Sequence, residues 1–224
     1  MSQTPPPADT PSGLDLRARI LDAARATPAP SRRQVRLGTV VTLAIGVTAM
    51  VTVFVLIGGV RVDGRPLGLV FFTATGALVI AALAFWLAFG RGGSMLGRDA
   101  RLLIWMTLAV PLLLFAWKLG ASASCDLDEW WPSRPGLRCL LWTMLMGMSL
   151  MAAVLYARRP SVPDRPGVVG VAFGASVGAC AWVLTDLWCP VAHPAHLLIG
   201  HVLPLVLLGT IGGLVGRKVL PPRR

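Results

Sequence analysis

The chain has 224 residues, 55% of them hydrophobic and 14% charged, with a mean hydropathy of +0.69. Soluble domains carry about a quarter charged residues. Here charge is missing from long runs and concentrated between them, a pattern that excludes an ordinary water-soluble fold and fits a bilayer. The net charge of +11 does not mark a nucleic-acid surface, because the arginines sit in short clusters flanking apolar runs and not on one continuous face.

Residues 1–12, MSQTPPPADTPS, are Pro-rich without apolar periodicity and are expected to be disordered. A short helix is expected over Gly13 to Thr27, with Ser12 and Asp15 placed like a capping box and Pro28 and Pro30 ending it. Leu14, Ala18 and Leu21 share one side, with Leu16, Ile20 and Ala24 adjacent, while Asp15, Arg19 and Asp22 lie opposite. An amphipathic helix of about four turns is marginal without a partner. Its partner is either a protein groove or anionic lipid. Because polar and Pro-rich residues fill positions 1–36 and the run that follows is too long for a signal h-region, that run is expected to remain as an anchor.

Six apolar runs follow, at roughly 37–59, 67–89, 102–121, 137–157, 167–188 and 197–216. Each is near the ~20 residues that cross ~30 Å of hydrocarbon. The expected fold is therefore an all-α integral membrane bundle of about six transmembrane helices. A cytoplasmic segment would occupy 1–36, the transmembrane domain 37–216, and a basic tail 217–224. Sixteen of the 21 Lys and Arg residues fall in the N-terminal segment, the second and fourth loops and the tail. The positive-inside rule then puts both termini in the cytoplasm.

Every loop is too short for a globular catalytic domain. No nucleophile–base constellation appears, and Gly90, Gly92 and Gly93 follow no strand that would make them a phosphate loop. The chain is not expected to be an enzyme, and its sequence names no cofactor. Without an internal repeat, an inverted-repeat transporter is unsupported.

Three ionisable residues lie within spans, each about one turn inside the outer boundary: Lys118, Asp186 and His201. Either they snorkel to the headgroups or they share a polar pocket. The outer face holds the remaining chemistry, with Cys125 and Cys139 around the third loop and Cys189, His193, His196 and His201 around the fifth. Thiolates and imidazoles together suit zinc or copper, with His193, His196 and His201 as the imidazole ligands. The alternative is a disulfide, Cys125–Cys139, Cys125–Cys189 or Cys139–Cys189, beside interfacial histidines. Cys180 lies ~13 Å down a helix from Cys189 and reads as a packing residue. Pro194 suits a first helical turn with His193 near its cap, and Pro204 should kink the last span near His201. Trp130, Trp131 and Trp188 fit an interfacial belt. Gly209, Gly212, Gly213 and Gly216 permit close helix approach, favouring packing within the chain over a homodimer contact.

A short N-terminal helix, six spans, Arg138–Cys139 at the fourth span and the stretch Cys189-Pro190…His193-Pro194…His196…Gly200-His201…Pro204 together resemble the NrsF-type family of six-span bacterial membrane anti-sigma factors. In role and layout the chain is also similar to CarR-type anti-sigma factors. The resemblance implies a regulator that holds an extracytoplasmic-function sigma factor at the inner membrane and releases it on an outer-face redox, metal or light-generated oxidant signal. Cys139 and Cys189 would then be a sensing or structural pair, with Cys125 as a further candidate. The N-terminal segment, through Leu14, Leu16, Arg17, Ile20 and Leu21, would touch sigma, with no direct nucleic-acid contact. The competing reading is a small membrane redox or metal- or haem-handling protein.

Overall fold

The computed structural model describes residues 18, 22, 31–61, 65–90, 99–121, 135–159 and 163–220. The expected sigma-contact residues Leu14, Leu16, Arg17, Ile20 and Leu21, together with Cys125, lie outside the described residues. The chain divides into two units, Met1–Gly38 and Thr39–Arg224.

In the first unit, a reciprocal capping box opens helix α1 (Arg32–Leu56). The Ser31 hydroxyl accepts from the Gln34 N–H at 3.2 Å, and Gln34 Oε1 accepts from the Ser31 N–H at 2.9 Å. This cap starts the helix among polar residues, ahead of the apolar run.

The second unit holds the rest of α1 and α2 (Leu67–Phe89), α3 (Ala100–Ala121), α4 (Leu137–Ala157) and α5 (Pro166–Trp188). A final span, Pro194–Val219, is built of a short α6 (Pro194–Leu197), a π-helical turn (Leu198–Val202) and α7 (Leu203–Val219). Six helices are long and apolar enough to cross a membrane, as the hydropathy runs predict. Leu56, Trp105, Leu112 and Leu203 are among the large apolar side chains left outside the bundle, where lipid replaces water as the solvent.

Helix α5 is the hub, packed against α2, α3, α4 and α7. Its small residues make this geometry available. A Cβ added at Gly174 would overlap the Leu208 carbonyl, and one at Gly170 would overlap the Gly212 carbonyl. Gly212 and Gly216 answer from α7, against Gly170 and the Pro166 carbonyl. Part of the C-terminal glycine stripe therefore packs within the chain. Hydrogen bonds add specificity: Ser176 Oγ donates to the Ala84 carbonyl at 3.1 Å, and Trp117 Nε1 to the Thr73 carbonyl at 2.9 Å. Because Gly174 meets backbone, which cannot rotate away, Gly174→Ala is expected to destabilise the bundle by about 1–3 kcal/mol. Thermal unfolding in detergent micelles checks this, and an unchanged midpoint would contradict it.

Candidate functional site

The site gathers at the bundle end shared by the start of α4, the end of α5 and the start of the final span. Gly136, just before α4, has φ +89°, a left-handed conformation that glycine adopts without a steric cost. A Cβ there would stand 2.8 Å from the His196 carbonyl oxygen, and one on Gly200 would stand 3.0 Å from Cys139 Cβ. The two glycines thus let the first turn of α4 press directly on the backbone of the final span, and Cys139 arrives in the same contact.

Cys189 follows the last residue of α5. Its N–H donates to the Thr185 carbonyl at 2.7 Å while its own backbone turns extended, and Pro190 prevents further helix. His193 caps α6, its Nδ1 accepting from the Ala195 N–H at 3.2 Å, with Pro194 in the first turn as expected. His193 is therefore used in starting the helix and stands outside the thiol–imidazole cluster.

The π-helical turn sets the next residue. Pro204 has no N–H to give the Gly200 carbonyl, and the ladder slips by one residue here, the Leu203 N–H reaching back to the Leu198 carbonyl. On a regular α-helix, residues five apart point ~140° away from each other. The extra residue of the π-turn absorbs that offset, so the spacing of five between His196 and His201 acts as a spacing of four, which puts two imidazoles on one face. Their ring centroids lie 5.8 Å apart, and the His201 ring sits edge-on to Trp182 with centroids 5.0 Å apart.

Cys139, Cys189, His196 and His201 form one buried cluster whose ligand atoms all lie within 4.8 Å of one another. His196 Nε2 is 3.1 Å from Cys189 Sγ and 3.5 Å from Cys139 Sγ. Both thiols are free. Both ring nitrogens of His201 are buried without a hydrogen-bond partner, an arrangement that costs free energy unless something else takes them up. The Cys189 thiol is held below the usual thiol range by the Cys139 hydrogen bond first, then by the His196 hydrogen bond and the nearby His201 ring, against the opposing effect of burial.

Beside this cluster, Lys118 of α3 and Asp186 of α5 form a buried ion pair, the lysine 4% and the aspartate 1% exposed. The Thr143 and Thr185 hydroxyls meet at 2.9 Å, joining α4 to α5. Arg65 Nη1 donates to the Asp186 carbonyl at 3.4 Å, the Arg61 N–H to the Leu187 carbonyl at 3.0 Å, and Trp188 Nε1 to the Ile57 carbonyl at 3.0 Å. The shared depth of Lys118, Asp186 and His201 thus resolves into two arrangements. Lys118 and Asp186 pair with each other, and His201 joins the cysteines. The two threonines and Gly136 were not singled out from sequence. The Pro135–Gly136 turn was the signal available for the latter.

Six membrane-length helices, with a buried Cys2His2 cluster and a buried Lys–Asp pair at one end of the bundle, define a multi-span membrane protein that keeps polar groups in its interior. The chain belongs to the family described as Negative regulator of sigma F, whose model matches residues 23–221. Among curated proteins, the anti-sigma-F factor NrsF of Caulobacter vibrioides (strain NA1000 / CB15N) is 35% identical over 77 residues, which is 34% of this chain and 36% of that protein. The match thus spans about a third of that relative's length. No solved structure matches.

Proposed function

We propose that this protein is a membrane-bound anti-sigma factor. It holds an extracytoplasmic-function sigma factor at the bacterial inner membrane, with both termini cytoplasmic, and releases it when the thiol–imidazole cluster on the outer side changes state. The observation that carries this reading is the family match, which begins at residue 23, ahead of the first span, and runs through all six. The role is stoichiometric holding, not catalysis. The apolar face Leu14, Leu16, Ile20 and Leu21, with Arg17 beside it, supplies a helix that folds as it docks in a groove of sigma.

Partner capture from solubilised membranes tests this, comparing the full chain with a version lacking residues 1–30. A sigma factor is expected with the full chain only, and the truncated protein should stay in the membrane while sigma-dependent transcription rises. If no sigma factor is captured, or if transcription is unchanged by the truncation, the proposal fails.

A further inference from the structure

We infer that Cys139, Cys189, His196 and His201 are the four ligands of a tetrahedral site for a d10 divalent cation, Zn2+ or its more thiophilic congener Cd2+. Two soft sulfurs and two imidazole nitrogens are the donor set such ions select. With metal–sulfur bonds of about 2.3 Å and metal–nitrogen bonds of about 2.0–2.1 Å, ligand atoms of a tetrahedral site stand about 3.3–3.8 Å apart. The sulfur–nitrogen separations of 3.1 and 3.5 Å are close to that spacing, and since no pair of ligand atoms stands more than 4.8 Å apart, the widest has about 1 Å at most to close.

Three independent features point the same way. One of the two unpartnered ring nitrogens of His201, at 0% exposure, gains in a metal a partner that the protein alone does not supply. The π-turn brings His201 onto the face of His196, and such turns are frequent at functional sites. Charge also balances: two thiolates and two neutral imidazoles around a divalent cation sum to zero, which limits the penalty of burying the ion. Binding releases to solvent the protons still held by the four ligand atoms, with no change in oxidation state.

The site ties the first turn of α4 to the end of α5 and to the π-turn of the final span. As a metal site it stands on this geometry. As the input of a sigma-holding protein it rests on the function proposed above.

Reduced, untagged full-length protein in detergent micelles should be titrated with Co2+ as an optical probe. One equivalent is expected to give thiolate-to-cobalt charge transfer and the visible bands of tetrahedral coordination, both displaced by Zn2+ or Cd2+. Altering the shell around a metal commonly costs 10–100-fold in affinity, so loss of a ligand in Cys139→Ser or His201→Ala should cost at least ~100-fold. Cys180→Ser, outside the cluster, should bind as wild type does. A second measurement avoids variants altogether: bound Zn2+ should shield Cys139 and Cys189 from alkylation in the wild-type chain, as mapped by mass spectrometry.

Absent stoichiometric binding, binding retained in His201→Ala, or equal alkylation with and without Zn2+ would overturn the site. Sigma capture distinguishes the two proposals. Metal bound without a sigma partner upholds the site and overturns its regulatory role, whereas sigma captured by a chain that binds no metal overturns the site alone.

Discussion

Asp186→Leu is expected to destabilise the bundle by about 3–5 kcal/mol, because it leaves the Lys118 ammonium buried without its counter-charge. The lysine is 4% exposed, so it cannot reach water without moving α3 or unravelling its last turn. Lys118→Met should cost a similar amount for the mirror-image reason, since Asp186 also sits among residues of the hub helix. The informative variant is the double one. A buried ion pair contributes little net stability over an apolar replacement of the same size, because each ion carries a desolvation penalty of several kcal/mol. Lys118→Met combined with Asp186→Leu should therefore be more stable than either single variant, which is the non-additivity expected of residues in direct contact. Denaturant unfolding in mixed micelles reads the difference. Where the singles do not survive purification, recovery of membrane-inserted protein in the double variant gives the same answer. If the double variant is as damaged as the singles, the pair has a role beyond mutual neutralisation.

That pair shows how far the sequence could be read. Three ionisable residues at one depth are visible in the order of the chain, since depth follows from counting residues along apolar runs. Which of them face each other depends on how each helix is rotated, and hydrophobicity that covers every side of a membrane helix carries little rotational information. Lys118 and Asp186 accordingly emerge as partners only in three dimensions. The span boundaries behave similarly. The runs at 67–89 and 137–157 coincide with α2 and α4, where apolar residues begin and end abruptly. The first helix begins at Arg32 and the last span at Pro194, earlier than the runs at 37 and 197, because a capping box and a proline-led turn can start helices in polar sequence. Cys139, Cys189, His196 and His201 were each legible as candidate ligands. His193 is a candidate ligand in sequence, but its place before Pro194 also suits a cap, and the hydrogen bond it makes there sets it apart from the other two histidines. The pairing of His196 with His201 was hidden more deeply. A separation of five violates helical periodicity, and a π-turn is not visible in that periodicity.

If the cluster is the input of the regulator, substituting one sulfur should silence the response without releasing the sigma factor. Serine is close to cysteine in size. The surroundings of the site are already packed, by Gly136 against the final span and by Trp182 against His201. Cys189→Ser should thus preserve the holding conformation while removing a soft, ionisable ligand. The Cys189 position should matter most, because it ends the hub helix. A conformational change at Cys189 passes straight into the turn where Thr185 accepts its N–H and meets Thr143 of α4. In cells carrying a reporter of sigma-dependent transcription, Cys139→Ser and Cys189→Ser are expected to lower induction by Cd2+ or a thiol oxidant by at least ~10-fold, the lower end of what perturbing a metal site costs. Uninduced transcription should stay low, and Cys180→Ser should respond normally. High uninduced transcription at normal protein levels would give a different result: the thiols would then be needed to hold sigma, and the cluster would belong to the holding state itself and not to its release.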